Sequence, residues 1–457
     1  MTPPQVIVIG AGLGGLSAAA ELSRGGLRVL VLEATAHVGG RCGTRLVEGA
    51  RFAVGANTFG IRTQRELERH GVPRPFFSAP YRIAYQGQNV RFPFDRSSIA
   101  ALRALGFSTP LVVRTAVKLA WAIHGEPPAA ETYRDIIHRL LGGRGGVELL
   151  EAEAWYLGAH PNALPASCLK TFFGLHYGFH RPVYPIGGAH RIPEALVEAI
   201  QRAGGEVRTG QRVEAIRIEG GIASGVRCSG DEIPATVAVV SNLELGVTLR
   251  LTDLVPELAA LIKTTTTYLR GLSFANLLLR LKPGACGFAS LGARGAAPGS
   301  ILLVDAPAAQ VISELEAGRL PSAPILNVVQ TQALSEEAPS EAALSLLALW
   351  PRSPVTAEER HRFVESALDR LERSDRGFRS ALLWHRLVTP DEYEAAFGFS
   401  SCPSPVLESP AYEKSGWRLP VARLYNVGTT VQPRGCHTGS AMESGRLCAA
   451  EILAAGR

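Results

Sequence analysis

The chain has 457 residues, of which 46% are hydrophobic and 19% charged, so it can bury a large interior in two or three packed units. This composition excludes an intrinsically disordered chain, and the aperiodic spacing of 48 glycines and 30 prolines excludes a collagen-like one. The net charge of +6 is carried mainly by scattered arginines, which argues against nucleic acid as a partner.

The spacing of the cysteines and the N-terminal residues indicate the cellular compartment of the protein. The seven cysteines are scattered and form no C-x-x-C pair, a pattern typical of reduced thiols and not of a zinc site. No basic region and apolar core of a signal peptide precede the first apolar run. The longest apolar runs are shorter than the ~18–20 residues that span a bilayer. We predict a cytoplasmic protein without a metal site.

A glycine-rich turn lies between the first two predicted strands. Residues 6–9 and 28–32 are β-branched or aliphatic runs typical of buried strands. Between them lie G-x-G-x-x-G at 10–15 and a helix-forming stretch at 16–22. Glu33 directly follows the second strand. This β-α-β arrangement predicts dinucleotide binding, with a plain glycine-rich turn as the alternative.

The residue types in this unit match the needs of a dinucleotide. Gly10 permits a tight turn, Gly12 lets a pyrophosphate approach the backbone, and Gly15 lets helix and strand pack closely. The N-terminus of the helix that follows the turn offers free N–H groups to phosphate, and Gly14 of the turn is a further predicted contact. Glu33 can accept hydrogen bonds from ribose hydroxyls.

The segment that follows Glu33 identifies the dinucleotide by resemblance. It ends in Gly39-Gly40-Arg41, and the whole run from V-I-V-I-G-A-G-L-G-G-L to G-G-R resembles the start of the flavin amine oxidase and phytoene desaturase superfamily. The resemblance implies FAD, with the Gly-Gly-Arg segment around its pyrophosphate and ribityl groups and Thr58 as a further contact. Ala53 departs from the family, which usually has an acid there.

A second group of motifs lies in the middle of the chain. Y-P-I-G-G from Tyr184, G-G-E-V-R-T at 204–209 and V-V-S-N at 239–242 resemble phytoene and carotenoid desaturases. The resemblance implies that Val213 holds the adenine side of FAD through its backbone. A small sheet with an interposed helix would explain the same residues without a ligand.

The last segment resembles the third part of the same superfamily's flavin domain. A predicted strand ends at Gly428 and Thr429, and a helix begins near Ala441. In the superfamily this helix N-terminus faces the flavin O2, which implies Gly439, Ala441 and Met442 as contacts. Thr429 stands where the family usually has an acid. The ending G-S-A-M-E-S-G is as similar to amine oxidases as to desaturases.

Two neighbouring residues raise the question of covalent flavin. Cys436 and His437 are residue types that can carry an 8α linkage. A cysteine in such a loop is more commonly a small buried filler. We therefore predict non-covalent FAD.

These motifs predict an α/β fold with a discontinuous Rossmann-type FAD-binding domain, an α+β substrate domain and a helical insertion that can face a membrane. The insertion, 97–122, is apolar but carries Arg103, Arg114 and Lys118, a pattern that favours peripheral membrane contact. Two amphipathic core helices with solvated arginines are the alternative. The predicted FAD-binding parts are 1–84, 183–242 and 396–457, and the substrate parts are 85–182 and 243–395.

Three residues are candidates for a catalytic role. Amine oxidases of this superfamily place a lysine near the flavin, which makes Lys282, after a strand-like run, one candidate base. His176 and Tyr177 belong to an aromatic cluster that suits a pocket wall, although a histidine there is more commonly structural.

Three functions remain open at this stage, each with a small-molecule ligand. The first is an enzyme that abstracts a hydride to flavin N5, desaturating or isomerising a C–C bond of an apolar, conjugated or natural-product substrate. The second is an amine oxidase that converts an amine or amino-acid-derived substrate to an imine. The third is a non-enzymatic binder of prenylated partners, which the intact glycine, Glu33 and Gly40-Arg41 set argues against.

Overall fold

The computed structural model describes most of the chain. The described residues are 3–78, 81–92, 95–142, 146–173, 182–253, 258–265, 269–282, 299–330, 342–397, 406–407, 413–435 and 437–455.

The helices follow one another in chain order. They are α1 (Leu13–Arg24), α2 (Ile61–Arg69), α3 (Arg96–Ala104), α4 (Thr109–His124), α5 (Tyr133–Leu141), α6 (Val147–Glu151), α7 (Cys168–Phe173), α8 (Arg191–Arg202), α9 (Leu245–Arg250), α10 (Ala259–Thr265), α11 (Ala308–Glu316), α12 (Ala357–Ser374), α13 (Phe378–Ala381), α14 (Pro390–Phe397) and α15 (Thr438–Ala455).

The strands alternate with these helices. They are β1 (Val6–Ile9), β2 (Val29–Leu32), β3 (Thr44–Val47), β4 (Ala50–Ala53), β5 (Phe76–Ser78), β6 (Tyr81–Tyr85), β7 (Gln88–Phe92), β8 (Val183–Pro185), β9 (Glu206–Arg208), β10 (Val213–Glu219), β11 (Ile222–Cys228), β12 (Asp231–Pro234), β13 (Ala238–Ser241), β14 (Leu269–Arg270), β15 (Ser273–Leu281), β16 (Ser300–Val304), β17 (Leu326–Gln330), β18 (Ala342–Trp350), β19 (Leu382–Val388), β20 (Val406–Leu407) and β21 (Leu424–Asn426).

A five-stranded parallel sheet is assembled from three distant parts of the chain. Its order is β21-β13-β1-β2-β9, so β1 lies between β2 and a strand that comes more than two hundred residues later. All four residues of both β1 and β2 are buried, as expected for a sheet covered on both faces. One face packs on α1, α8 and α15, and the other packs on the β10-β11-β12 sheet.

The second large sheet has seven strands in the order β19-β15-β18-β17-β16-β6-β7. Its pairs are antiparallel except β16 with β6. One face packs on α12, and the other packs on α5, α7 and α11. The expected boundary at 84/85 falls inside β6, because Tyr81–Tyr85 pairs with β16 along its whole length and belongs to this sheet.

The 97–122 insertion forms two helices, α3 and α4, separated at Gly106 to Ser108. Asp95 caps α3 by accepting a hydrogen bond from the Ser98 backbone N–H. None of the residues of α4 is buried, and its Val113, Val117 and Trp121 side chains are 56%, 53% and 79% exposed. Spacing of four residues places these three on one helix face.

Among the described helices, none combines the length and the apolar character needed to cross a membrane.

A buried polar network joins α1, α2 and α15 beneath the first sheet. His70 follows α2, and its Nε2 lies 2.8 Å from Ser17 Oγ, which donates to the Met442 carbonyl at 2.6 Å. Nδ1 of His70 lies 3.4 Å from Glu21 Oε1. Burial, reinforced by Arg24 and Arg446, lowers the pKa of His70 to about 4, so the imidazole is neutral at pH 7.

This histidine predicts a loss of stability in mild acid. Between its usual pKa of 6.5 and the folded value of about 4, the unfolded chain binds a proton that the native protein does not. The free energy of unfolding should therefore fall with falling pH in this window, by about 1.4 kcal/mol per pH unit from His70. Urea denaturation should show that the free energy of unfolding falls less between pH 7 and pH 5 for His70→Gln than for the wild type. His361→Gln, at an exposed position on α12, should keep the wild-type slope; equal slopes in all three proteins would contradict the assignment.

Candidate cofactor and substrate site

One cavity of about 470 Å³ runs from the first sheet to the second. Its nucleotide end lies at the carboxyl ends of β1 and β2, where parallel sheets commonly bind ligands. Its substrate end is walled by residues that precede α7 or belong to the seven-stranded sheet, among them Trp155, Tyr156, Phe274, Asn327 and Leu347.

The glycine turn packs closely against one side chain, that of Asn242, which follows β13. A Cβ on Gly12 would lie 2.3 Å from Asn242 Nδ2, and one on Gly14 would lie 2.5 Å from Asn242 Oδ1. Gly428, with φ +111°, approaches the same amide from the last segment. Any side chain at these positions would therefore fill the cleft or displace Asn242.

The α1 N-terminus opens toward this cleft. Gly12 is the N-cap residue and supplies no side-chain hydrogen bond, so the first N–H groups of α1 remain available to a ligand. Gly15 lies behind the turn, where a Cβ would be 2.3 Å from the Gly10 carbonyl oxygen. Helix and strand can approach this closely only because Gly15 has no side chain.

Glu33 is held in one orientation at the end of β2. Its Oε2 accepts the Ala11 backbone N–H at 2.8 Å. Its Oε1 accepts the backbone N–H and the hydroxyl of Thr35, both at 2.8 Å. The carboxylate thus ties the glycine turn to the loop after β2 and presents a fixed negative charge to the cavity.

Arg41 links the first and last segments across the cavity. Its guanidinium donates to Thr429 Oγ1 at 2.9 Å, so the hydroxyl occupies the position where we noted an acid to be usual. Gly39 adopts φ +100° and donates its N–H to the Ala11 carbonyl at 2.8 Å, which sets this segment beside the glycine turn. Asn57 Oδ1 is buried in the same wall without a hydrogen-bond partner.

The N-terminus of α15 closes the middle of the cavity. His437 lines it and accepts the Ser440 backbone N–H on Nδ1 at 3.2 Å. Burial, with the nearby charges of Arg62 and Lys414, lowers the pKa of His437 to about 3, so the imidazole is neutral. Cys436 lies outside the described residues.

Most of the predicted site residues line this cavity. They are Gly10, Gly12, Gly14, Glu33, Gly39, Gly40, Arg41, Thr58, Val213, Gly428, Thr429 and Ala441. Gly15, Gly439 and Met442 do not line it. A Cβ on Gly439 would meet the Arg62 side chain at 3.0 Å, and Met442 is fully buried against α1.

Of the candidate bases, only Lys282 lies within the described residues, and it does not line the cavity. Lys282 is exposed at the end of β15, eight residues beyond the cavity-lining Phe274, a distance of about 26 Å along an extended strand. Lys282 therefore lies away from this cavity, and its assignment as the base stays a prediction. His176 and Tyr177 lie outside the described residues.

Sequence reasoning missed three amides of this site, Asn57, Asn242 and Asn327. Asn242 ends the V-V-S-N motif that we quoted without giving it a role, and Asn57 directly precedes the predicted contact Thr58, so these two positions were the available signal. Asn327 lies within an apolar strand and carries no local signal. Among the described residues, no group of three His, Cys, Asp or Glu side chains could hold a metal ion.

Comparison with known proteins identifies the family. The model for the family described as flavin containing amine oxidoreductase matches residues 13–453. The chain belongs to this family. It is therefore an FAD-dependent oxidoreductase, and the predicted α/β fold with a Rossmann-type FAD-binding domain is confirmed.

Several curated relatives of this family member are named as carotenoid or phytoene enzymes. A 4,4'-diapolycopene oxygenase from Methylomonas sp is 24% identical over 94% of this chain and 94% of the relative. A zeta-carotene-forming phytoene desaturase from Myxococcus xanthus is 28% identical over 53% of each chain. An oxidoreductase structure from Methanosarcina mazei has a TM-score of 0.73 at 20% identity and covers 98% of this chain and 99% of its own. The resemblance to the phytoene desaturase branch is thus confirmed, at low identity.

The residues present fit FAD. The side-chain-free cradle of Gly12, Gly14 and Gly428 leaves room for a pyrophosphate beside the α1 N-terminus. Glu33 offers acceptors for a ribose, and the unpartnered Oδ1 of Asn57 offers one for a polar group of the flavin half.

Proposed function

We propose that this protein is an FAD-dependent desaturase that removes hydrogen from a C–C bond of an apolar or conjugated substrate, with isomerisation of such a bond as the related outcome. FAD, when bound, accepts a hydride from a substrate C–H bond. The chain then has to align that bond and exclude water.

One observation carries this proposal: within the described residues, the substrate end of the cavity has no charged side chain. Its wall is largely aromatic and aliphatic, formed by Trp155, Tyr156, Leu157, Phe274 and Leu347. The acids that line the cavity, Glu33 and Glu244, follow strands of the nucleotide sheet, and Glu244 is paired with Arg270 at 3.0 Å. A substrate ammonium would thus be desolvated here without a counter-charge, which is costly.

The names of two relatives support the same choice, since they are a diapolycopene oxygenase and a phytoene desaturase. We further propose that FAD is held non-covalently by the residues that line the nucleotide end.

Amine oxidation is the second candidate, and the cluster of aromatic side chains at the cavity favours it. Trp155 and Phe274 lie with ring centroids 5.0 Å apart, and Tyr156 and Tyr393 line the same cavity. Together with the G-S-A-M-E-S-G start of α15, such a wall suits a small amine.

The two candidates are separated by anaerobic mixing of the holoenzyme with phytoene-type polyenes and with amines. We expect bleaching of the flavin band near ~450 nm with a polyene, because hydride transfer reduces the cofactor. Free FAD in the same detergent is the control. Bleaching by amines alone would overturn the desaturase proposal, and flavin that stays with acid-precipitated protein would overturn the non-covalent one.

We also propose that α4 rests on an anionic membrane surface from which an apolar substrate enters. The exposed face of Val113, Val117 and Trp121 is apolar, and α4 contains no acidic residue while Arg114 and Lys118 are exposed. Apolar side chains that insert below basic ones are typical of interfacial helices.

This surface predicts vesicle binding that two substitutions should remove. Co-sedimentation with vesicles of mixed neutral and anionic phospholipid should fall at least fivefold for Val117→Ser/Trp121→Ser, because about 2 kcal/mol or more of apolar burial is lost. Leu383→Ser, which removes an exposed leucine on β19, is the matched control and should bind as wild type does. Equal sedimentation of all three proteins would contradict the membrane proposal.

A further inference from the structure

A row of polar side chains crosses the face of the seven-stranded sheet that lines the cavity. Leu347 of β18 pairs with Asn276 of β15 on one side and with Asn327 of β17 on the other. Directly opposed residues of neighbouring strands point to the same face of a sheet. Leu347 and Asn327 line the cavity, and Asn276 lies beside Leu347 on the same face of the sheet without lining the cavity itself.

The amides of this row have hydrogen-bonding capacity that the described protein does not use. Asn276 is fully buried, and neither its Oδ1 nor its Nδ2 has a partner. Asn327 is 1% exposed; its Oδ1 accepts the Ser300 hydroxyl at 2.6 Å, and no described group bonds the other end of the amide. Buried polar groups left unpaired destabilise a fold, so a ligand with a polar atom at this row would be stabilised by pairing with them.

Next to this row lies a cluster of hydroxyls around a buried acid. Tyr156 lines the cavity and adjoins Ser300 and Tyr81, with the two tyrosine rings 6.0 Å apart. Glu153 lies against Tyr81, is 2% exposed, and its Oε2 has no hydrogen-bond partner. Burial raises the pKa of Glu153 to about 8, so at pH 7 the cluster consists of neutral donors and acceptors.

We propose that Asn276, Asn327 and Tyr156 bind a neutral oxygen group, a hydroxyl or a carbonyl, on an otherwise apolar substrate. This inference rests on the proposed desaturase function and specifies its substrate class. A neutral oxygen uses the unpaired amide atoms without bringing charge into a wall that has no counter-charge. A pure hydrocarbon would leave the same atoms unpaired, and sites built to hydrogen-bond a substrate reject the analogue that lacks the group.

The test compares three ligands that share one C20 isoprenoid chain. They are geranylgeraniol, the hydrocarbon without the hydroxyl, and the corresponding primary amine. Dissociation constants are measured on oxidised, anaerobic holoenzyme from perturbation of the flavin spectrum and quenching of tryptophan fluorescence, without turnover. We expect the alcohol to bind about five- to tenfold more tightly than the hydrocarbon, the range of one neutral hydrogen bond.

Variants identify the residues. Asn327→Leu should bring the affinity for the alcohol down to that for the hydrocarbon and leave hydrocarbon binding unchanged, which is an internal control for folding. Tyr156→Phe, which removes one hydroxyl, should reduce the preference for the alcohol, measured as the dissociation constant of the hydrocarbon divided by that of the alcohol. Asn162→Leu, at an exposed position outside the cavity, should keep the wild-type ratio. Asn276→Leu should reduce this ratio of dissociation constants. It should also raise the melting temperature of the protein, because it removes two unpaired buried atoms.

Equal affinities for alcohol and hydrocarbon in the wild type, or a ratio unchanged by Asn327→Leu, would overturn the inference. Tightest binding of the amine would overturn it too. The proposed function fails separately, through bleaching by amines alone in the turnover experiment. An alcohol preference that Asn327→Leu abolishes would uphold the inference even in that event.

Discussion

Replacing Gly445 with alanine should lower the free energy of unfolding by about 1–3 kcal/mol, the usual effect of overpacking. A Cβ at this position of α15 would lie 2.0 Å from the Gly14 carbonyl oxygen and 2.8 Å from the Ala18 backbone nitrogen. Both are backbone atoms of α1, so they can move only if the two helices separate. Because Gly14 belongs to the cofactor turn, FAD retained per protein should fall as well.

The predicted loss of stability is opposite in sign to the usual effect of replacing glycine with alanine in a helix. Glycine to alanine inside a helix is stabilising by about 1 kcal/mol when space is available. Gly416→Ala is the control, since no atom lies within 4 Å of a Cβ there and its backbone is not left-handed. Urea denaturation followed by circular dichroism, with the 450 nm to 280 nm absorbance ratio for FAD content, measures both effects. A Gly445→Ala protein as stable as wild type would contradict the close α1–α15 contact.

Replacing Glu33 with glutamine should weaken FAD binding at least tenfold, about 1.4 kcal/mol or more. The carboxylate uses both oxygens to accept three hydrogen bonds, from Ala11 and from Thr35 twice. A glutamine has one acceptor oxygen, and it would turn an NH₂ group toward one of these donors. The loop after β2 would lose its fixed orientation, and the ribose would lose a charge-assisted acceptor.

The measurement is titration of deflavinated protein with FAD, followed by flavin fluorescence. Glu206→Gln is the matched control, because Glu206 lies on the neighbouring β9 and is exposed in a pair with Arg208. Unfolding of the apoproteins separates a binding defect from general destabilisation. Retention of the wild-type dissociation constant by Glu33→Gln would show that this carboxylate does not contribute to the cofactor site.

The nucleotide end of the site was predictable because its chemistry is local in sequence. Gly12 lies in one β-α-β unit, Glu33 directly follows it, and Arg41 lies within about thirty residues of Gly12, so local conformational demands select their residue types. The tight contact at Gly445 carried no such signal, since its partner Gly14 is more than four hundred residues away.

The substrate end could not be predicted in the same way. Asn276 and Asn327 lie in apolar runs of two separate strands, and only the register with β18 brings them into one row. The distance of Lys282 from the cavity could not be predicted for a related reason, because the length of β15 follows from pairing across the sheet. Where strand register decides which side chains lie together, the site can be recognised only from the tertiary structure.

The parallel sheet also determines when, during synthesis, the FAD-binding domain can finish folding. Its first strand needs β13 as a neighbour, and the helix beside the glycine turn needs α15, the last helix described. A ribosome-bound chain that lacks these residues exposes one edge of β1 and one side of α1. Cofactor capture is therefore a late event, after translation has delivered α15. Until then the nascent chain depends on its second sheet, or on chaperones, to remain free of aggregation.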